Sequence, residues 1–275
     1  MASSAYLDTF ARDNLPSADA WPEFVFDLPI LNYPPRLNCA VELLDRMVAT
    51  GHGERIALRT RDGECTYRQL LARSNRIARV LCEELHLQPG NRILLRGANH
   101  PMLVACWLGA LKAGCIVVTT MPLLRARELR RIIDKAKISV ALCDHRLREE
   151  LDLARHESAS LKQIVSFNTD VPGSLETLLD GKPDDFTNVD TAADDVALIA
   201  FTSGTTGSPK GVMHSHNSLH ALIQQLGTHW QIEPGDKFLV GSPISHIGGS
   251  IYAFECPLLL GTTAVLMERW DAEDA

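Results

Sequence analysis

Short apolar runs alternate with amphipathic segments through the middle of the chain, and this alternation limits the folds open to it. The apolar runs predict strands at Arg92–Arg96, Cys115–Met121, Ser139–Cys143 and Gln163–Phe167. Helical periodicity predicts helices at Pro101–Ala113, at Glu128–Ala136, from about Arg146, and at Leu175–Leu179. Strands that are apolar throughout need cover on both faces of their sheet. We therefore expect an α/β fold of layered, mostly parallel sheets flanked by helices.

The same alternation resumes near residue 196, after a stretch that has a different composition. Residues 181–195 are rich in Asp, Pro and Thr, which favours a surface linker. The predicted organisation is an irregular arm at 1–37, a first α/β subdomain at 38–180, the linker, and a second α/β subdomain at 196–275. The second subdomain is expected to be truncated on its C-terminal side, because Trp270–Ala275 look like the opening of another helix.

Composition excludes several classes of protein. The net charge is −7, which argues against broad binding to nucleic acids or anionic membranes. The seven cysteines are scattered without a C-x-x-C pair, a pattern typical of buried thiols in a reducing compartment. The longest apolar run, Met102–Leu111, is too short to span a bilayer, and no secretory signal is visible. We expect a cytoplasmic protein; its oligomeric state stays open.

The segment from Thr202 to Gly211 has the composition of a phosphate-binding loop. It holds five hydroxyl side chains, three glycines and one lysine within ten residues. Glycines let backbone N–H groups approach an anion, hydroxyls donate hydrogen bonds to its oxygens, and lysine adds a mobile charge. The loop follows a predicted buried strand, so it should lie at the carboxyl edge of a sheet, where ligands bind in such folds.

Two other interpretations of this segment are less favoured. A flexible surface linker would not usually be framed by two apolar strands or end in Pro-Lys-Gly. A Walker P-loop needs Gly-Lys-Ser/Thr followed by a helix, whereas Ser208 and Pro209 separate Gly207 from Lys210 and a strand follows.

Four segments together resemble the adenylate-forming (AMP-binding) superfamily, which includes acyl- and aryl-CoA synthetases. The loop is similar to the signature of that superfamily, and three more stretches follow its order. Cys65–Leu70 resembles its TYxEL segment, Leu111–Val118 its LKAGxxxVP segment, and Pro243–Gly249 its PxxHxxG segment. The resemblance runs from about Pro34 to the end of the chain and covers only the N-terminal half of the family's usual length.

The resemblance implies an acid–thiol ligase that works in two steps. ATP and a small carboxylic acid give an acyl-adenylate and pyrophosphate, and coenzyme A then displaces AMP. By this resemblance the β- and γ-phosphates would be held by Thr202, Ser203, Gly204, Thr205, Thr206, Gly207 and Lys210. Mg²⁺ would neutralise the triphosphate. The family's adenine, ribose and magnesium ligands are expected in later segments, so we assign no metal ligand in this chain and expect the chain to be inactive alone.

His246 is the other candidate catalytic residue, with Lys210. In the family this histidine lies between the acyl pocket and the thiol channel, where an imidazole can contact the carboxylate and later yield to the thiol. The alternative is a histidine that closes a turn before a helix. Gly248 and Gly249 would allow close approach of the backbone to substrate, and Ile247, Ile251 and Tyr252 are weaker candidates for the acyl pocket.

Two further groups of residues leave alternatives open. His214 and His216 share a strand face, but no third metal ligand stands near them, so isolated histidines are favoured over a metal site. A basic cluster on a predicted helix is either a solvated face or a contact for the phosphates of coenzyme A; it consists of Arg125, Arg127, Arg130 and Arg131.

Three segments resemble benzoate- and 2-aminobenzoate-type ligases, namely Phe10–Pro16, Trp21–Phe24 and Met121–Glu128. They favour an aromatic acid as the substrate, with a fatty or other small carboxylic acid, or an acceptor other than coenzyme A, as the alternative. A non-catalytic remnant or interaction module that keeps the fold is a third possibility. The intact loop argues against it, since an unused site would lose its lysine or glycines first.

Overall fold

The computed structural model describes residues 3–23, 25, 29, 33–202 and 208–273. The predicted phosphate-binding residues Ser203 to Gly207 therefore lie outside the described residues. Phe24, in one of the aryl-ligase segments, does so as well. The α/β prediction is confirmed, because two largely parallel sheets carry helices on their faces.

The larger sheet has six strands in the spatial order β6-β5-β3-β4-β7-β8. Neighbouring strands run parallel except for the final pair, β7 and β8, which are antiparallel. The strands are β3 (Arg92–Arg96), β4 (Ile116–Thr120), β5 (Val140–Asp144), β6 (Gln163–Phe167), β7 (Val196–Thr202) and β8 (Lys210–Ser215). The four carboxyl ends of β3, β4, β5 and β7 thus meet at one edge of the sheet.

The smaller sheet has four strands in the order β2-β1-β10-β9. These are β1 (Ile56–Thr60), β2 (Gly63–Thr66), β9 (Lys237–Leu239) and β10 (Thr263–Val265). β1 and β2 form the hairpin that Asp62-Gly63 predicts, while β10 runs parallel to both β1 and β9. Both sheets contain strands from either side of residues 181–195, so each predicted subdomain contributes to both sheets.

The helices follow the predicted pattern closely. They are α1 (Phe10–Asp13), α2 (Tyr67–Arg79), α3 (Pro101–Lys112), α4 (Ala126–Ala136), α5 (Arg148–Glu157), α6 (Leu175–Leu179), α7 (His216–Trp230), α8 (Ile247–Ser250) and α9 (Cys256–Leu259). Wider π-helical turns occur at Val41–Asp45, Val48–His52, Val80–Glu84 and Ile251–Glu255, and 3₁₀ turns at Ala18–Ala20 and His145–Leu147. Residues 270 and 271 have no regular secondary structure and residues 272–273 form a turn; the last two residues of the segment predicted to open a helix lie outside the described residues.

Burial of both faces of the larger sheet accounts for its apolar strands. Along β3, Ile93 and Leu95 belong to the core that includes α2 and α3, whereas Leu94 belongs to the core that includes α4 and α5. α3 is buried along nearly its whole length, because the first core also takes in residues of the smaller sheet. None of the helices in the described part of the chain has the length and apolar character needed to cross a membrane.

The motif segment at Cys65–Leu70 has a structural role. Thr66 caps α2 by accepting from the Gln69 backbone N–H, and the Gln69 side chain accepts from the Thr66 N–H, as the sequence predicts. The buried Tyr67 hydroxyl lies 2.9 Å from the Thr262 carbonyl oxygen and 3.2 Å from those of Pro257 and Leu258. This side chain therefore ties the first turn of α2 to the segment that precedes β10.

Candidate active site

The predicted phosphate loop leaves the carboxyl edge of the larger sheet. Parallel pairing of β4 with β7 brings Thr120 and Thr202 to the same edge. β8 then returns antiparallel, with Lys210 opposite Thr202 in the register. β7 and β8 are therefore antiparallel neighbours at the end of the sheet, and their residues Thr202 and Lys210 flank the predicted loop in the sequence. This position agrees with the expectation that the loop follows a buried strand.

A cavity of about 450 Å³ opens beside the β7–β8 pair. Its walls come from the ends of β4 and β7, from one face of α4, and from the turn before α8. The lining residues include Thr120, Met121, Phe201, Thr202, Ile132 and His246. Most of the wall is apolar, while Thr202 and His246 supply polar groups and Glu128 and Arg131 supply charged ones. The structure thus brings two of the predicted site residues, Thr202 and His246, to one cavity.

His246 is the residue immediately before α8 and caps that helix. Its Nδ1 accepts a hydrogen bond of 3.2 Å from the Gly248 backbone N–H, and its side chain is exposed. His246 therefore closes the turn before α8, as the alternative prediction states. The same side chain also lines the cavity. Gly249 is needed for the close approach of the chain here, because a Cβ at this position would lie 1.8 Å from the Pro243 carbonyl oxygen.

Two buried polar side chains hold the turn that carries His246. Asn99, which follows β3, accepts from the Ile244 N–H at 2.8 Å and donates to the Ser242 carbonyl at 3.0 Å. Thr119 of β4 donates to the Ser245 carbonyl at 2.8 Å. The sequence analysis missed both residues. Their only signal is a polar side chain at or just beyond the end of a buried strand, which is too common to single them out.

Arg96 fixes a second wall of the cavity. This arginine is buried at the end of β3 and donates to the carbonyl oxygens of Met121, Pro122 and Leu124, each at 2.9 Å. Burial lowers the pKa of its guanidinium from the ordinary value. Three backbone acceptors of the segment after β4 therefore depend on one side chain, which positions Met121 and Leu124 against the cavity.

Lys210 is paired with Thr202 across the β7–β8 hairpin but does not line the cavity that contains Thr202 and His246. It is exposed and lines a neighbouring cavity of about 330 Å³ together with Phe10, Asn14 and Lys135. Within the described ranges, the side-chain ammonium of Lys210 has no hydrogen-bond or ion-pair partner. Antiparallel pairing with Thr202 places it at the exit of the loop rather than on the wall beside His246.

The weaker candidates separate into different environments. Ile247 lines the cavity with His246, Ile251 is buried, and Tyr252 stacks on Trp230 with ring centroids 5.6 Å apart. The buried His216 accepts from the Cys39 backbone N–H at 3.1 Å, and burial lowers the pKa of this imidazole to about 3. His216 therefore has a structural role, in agreement with the non-metal interpretation.

A family model described as AMP-binding enzyme matches residues 46–275. The chain belongs to this family. A 3-hydroxybenzoate–CoA/4-hydroxybenzoate–CoA ligase of Thauera aromatica is 30% identical over 86% of this chain and 46% of that protein. The fold resembles a crystal structure of the anthranilate CoA ligase AuaEII in complex with anthranoyl-AMP, with a TM-score of 0.81 and 22% sequence identity. The match covers 88% of this chain and 46% of the ligase chain. It also resembles a crystal structure of ATP-bound MatB from Rhodopseudomonas palustris, with a TM-score of 0.77 and 27% sequence identity. That match covers 86% of this chain and 46% of the MatB chain.

The chain spans about half the length of the curated relatives that it matches. These relatives are named as acid–CoA ligases, and the predicted membership of the AMP-binding family is confirmed. Among the residues that the structure describes, no group of three or more His, Cys, Asp or Glu side chains could hold a metal ion.

Asn99→Ala should destabilise the turn that carries His246. The substitution leaves the Ile244 N–H and the Ser242 carbonyl without their partner. We expect the free energy of unfolding to fall by about 1–3 kcal/mol, measured by urea denaturation. The imidazole resonances of His246 should also broaden or shift in NMR spectra. Asn14→Ala, at an exposed asparagine, serves as the control. Unchanged stability together with unchanged His246 resonances would show that Asn99 does not hold the turn.

Proposed function

We propose that the protein activates a carboxylic acid with ATP to an acyl-adenylate and transfers the acyl group to the thiol of coenzyme A. The observation that carries this proposal is the position of the hydroxyl- and glycine-rich loop. It leaves the carboxyl edge of the sheet at Thr202, beside the cavity that His246 lines. Membership of the AMP-binding family and acid–CoA ligase relatives support the same chemistry.

In the proposed reaction the loop holds the phosphate groups that leave as pyrophosphate. Hydroxyl groups from Thr202 to Thr206 and backbone N–H groups of the glycines would donate to the β- and γ-phosphate oxygens, where charge builds as the bond to the α-phosphate breaks. Lys210 would add a positive charge at the exit of the loop. Mg²⁺ would supply further charge neutralisation to the bound triphosphate.

His246 would act on the carboxylate side of the same reaction. Its Nδ1 accepts from Gly248, so Nε2 is the ring nitrogen left to face a ligand in the cavity. A donor there can hold one oxygen of the substrate carboxylate while the other oxygen attacks the α-phosphorus of ATP. The largely apolar wall of the cavity suits the apolar body of an organic acid.

We further propose an aromatic acid as the substrate. The benzoate-type segments of the sequence and the 30% identity to the hydroxybenzoate–CoA ligase support this choice. Saturation-transfer NMR with benzoate and octanoate tests it on the chain. Benzoate should receive the stronger saturation, and His246→Ala should weaken that signal. A stronger signal from octanoate would favour the fatty-acid alternative. A cytoplasmic location belongs to the same proposal.

The 275-residue chain should not complete the first step by itself, because it covers only 46% of its ligase relative. A single-turnover reaction with the chain, benzoate, ATP and Mg²⁺ should show no acyl-adenylate. A stoichiometric burst of acyl-adenylate and pyrophosphate would contradict this part of the proposal and would mean that residues 1–275 hold a complete site.

Lys210→Ala tests the phosphate site directly. We expect the dissociation constant for MgATP, measured by calorimetry on the chain, to rise about tenfold or more, since a hydrogen bond to a charged group is worth about 1.5–3 kcal/mol. Lys237→Ala is the matched control, because Lys237 is likewise an exposed lysine at the first position of a strand. Equal affinities of Lys210→Ala and wild type would refute the assignment of the loop.

A further inference from the structure

One face of α4 is strongly basic and borders the exit of the phosphate loop. Arg127, Arg130, Arg131 and Lys135 line a cavity of about 650 Å³ with Asp134, and the opposite wall is formed by Ser208 and Pro209. Four cationic side chains thus face one carboxylate in a protein whose net charge is −7. Such a local excess of positive charge attracts anions even when the whole chain is acidic.

The spacing of these cations makes them repel one another. Arg127 and Arg131 are separated by four residues on α4, as are Arg131 and Lys135, and residues at this spacing are neighbours on a helix surface. Arg127 also lies in the first turn, where the helix dipole disfavours a positive charge. Like charges at this spacing destabilise a helix unless carboxylate partners or a bound anion compensate them.

Internal ion pairs neutralise this face only in part. Arg130 pairs with Glu157 at 2.8 Å and with Asp134 at 3.5 Å. The Arg127 guanidinium makes no hydrogen bond or ion pair with any residue that the structure describes. The cavity also has a direct link to the loop, because Lys135 Nζ donates to the Pro209 carbonyl oxygen at 2.8 Å.

We propose that this cavity is a second anion site, which binds a diphosphate group and receives pyrophosphate as it leaves the loop. This inference rests on the proposed function, since that reaction produces pyrophosphate at the loop. A diphosphate fits better than a single phosphate, because several guanidinium groups can each engage a different set of its oxygens. No bond is made or broken in the step, only transfer of the anion from the loop to the face of α4.

Coenzyme A also contains a diphosphate group, but the position of the cavity favours pyrophosphate as its ligand. Ser208 and Pro209 belong to the loop segment itself, so an anion released at the loop reaches the cavity without crossing the protein. Lys135 also lines the neighbouring cavity that contains Lys210, which places two lysines along the same route.

The test uses inorganic pyrophosphate and, separately, coenzyme A as probes of the whole chain by calorimetry. In Arg127→Ala/Arg130→Ala the dissociation constant for pyrophosphate should rise at least about tenfold, while that for coenzyme A should not change. Arg127→Lys, which keeps the charge, should retain most of the affinity. Arg76→Ala, at an exposed arginine of α2 outside this cavity, is the control. Unchanged melting temperatures confirm that the variants fold.

The other outcomes overturn the proposal in distinguishable ways. No binding of pyrophosphate to the wild type, or equal affinity for sulfate, would refute a diphosphate site. Unchanged pyrophosphate affinity in the double variant but weaker binding in Lys210→Ala would refute the second site and leave the proposed function intact. If pyrophosphate affinity falls in neither the double variant nor Lys210→Ala, the result would count against both the second site and the proposed function. Weaker binding of coenzyme A alone would assign the cavity to that cosubstrate instead.

Discussion

Asp45→Ala should lower the free energy of unfolding by about 3–5 kcal/mol, because it leaves a charged lysine buried without its partner. Lys112, in the motif segment Leu111–Val118, has no exposed surface, and its Nζ lies 2.7 Å and 2.5 Å from the two carboxylate oxygens of Asp45. Burial lowers the pKa of this ammonium, and Asp45 opposes that shift. Asn188 also donates to Asp45 and would lose its acceptor.

Urea denaturation of three variants separates the charge from the packing. Glu54→Ala breaks an exposed ion pair with Arg68 and should cost less than about 1 kcal/mol. Asp45→Ala/Lys112→Met removes both charges and should recover much of the loss, since a buried ion pair replaced by apolar groups is often neutral. If Asp45→Ala costs no more than Glu54→Ala, then the Lys112 ammonium reaches water and the buried pair is not important for stability.

Local sequence patterns were sufficient to predict most of the helices and strands. β6 at Gln163–Phe167 and α6 at Leu175–Leu179 have the predicted bounds, and the capping box of Thr66 and Gln69 forms as predicted. Each of these rests on interactions within a few residues, such as side-chain alternation or a reciprocal cap. The short helix α8 begins at Ile247, directly after the His246 cap, although Gly248 and Gly249 have low helix propensity.

Strand order could not be predicted, since it depends on contacts between distant parts of the chain. β7 pairs with β4 and β10 pairs with β1, which places strands from both sides of residues 181–195 in each sheet. That segment itself is not wholly exposed. Thr191 is fully buried, and its hydroxyl donates to the Leu37 carbonyl at 2.8 Å. Its composition indicates turns but carries no information about what the turns pack against.

The candidate site shows the same division between local and long-range information. The residue types of the loop and of the His246 turn are local patterns, and the structure places Thr202 and His246 on one cavity. Asn99 and Arg96 position the walls of that cavity from a different strand, which no spacing rule connects with His246. The roles of Ser203 to Gly207 and Lys210 stay predictions.

A buried carboxyl group in the helical segment after α8 was not anticipated from the sequence. Glu255 is fully buried, and its partner is Ser250, whose hydroxyl lies 3.3 Å from Oε2; Oε1 has no hydrogen-bond partner among the described residues. Burial raises the pKa of Glu255 from 4.5 to about 8. The carboxyl is therefore mostly protonated in the folded protein at pH 7.

Glu255→Gln should make the protein more stable at alkaline pH and leave it nearly unchanged at pH 5. Between 4.5 and about 8 the folded state holds a proton that the unfolded state releases, so stability falls as pH rises through this window. The amide does not ionise, and its advantage at pH 9 should reach on the order of a few kcal/mol, since each unit of pKa corresponds to about 1.4 kcal/mol. Urea denaturation from pH 5 to 9 measures this difference, with the exposed Glu149→Gln as the control. Parallel curves for Glu255→Gln and wild type would mean that water reaches this carboxylate in the folded protein.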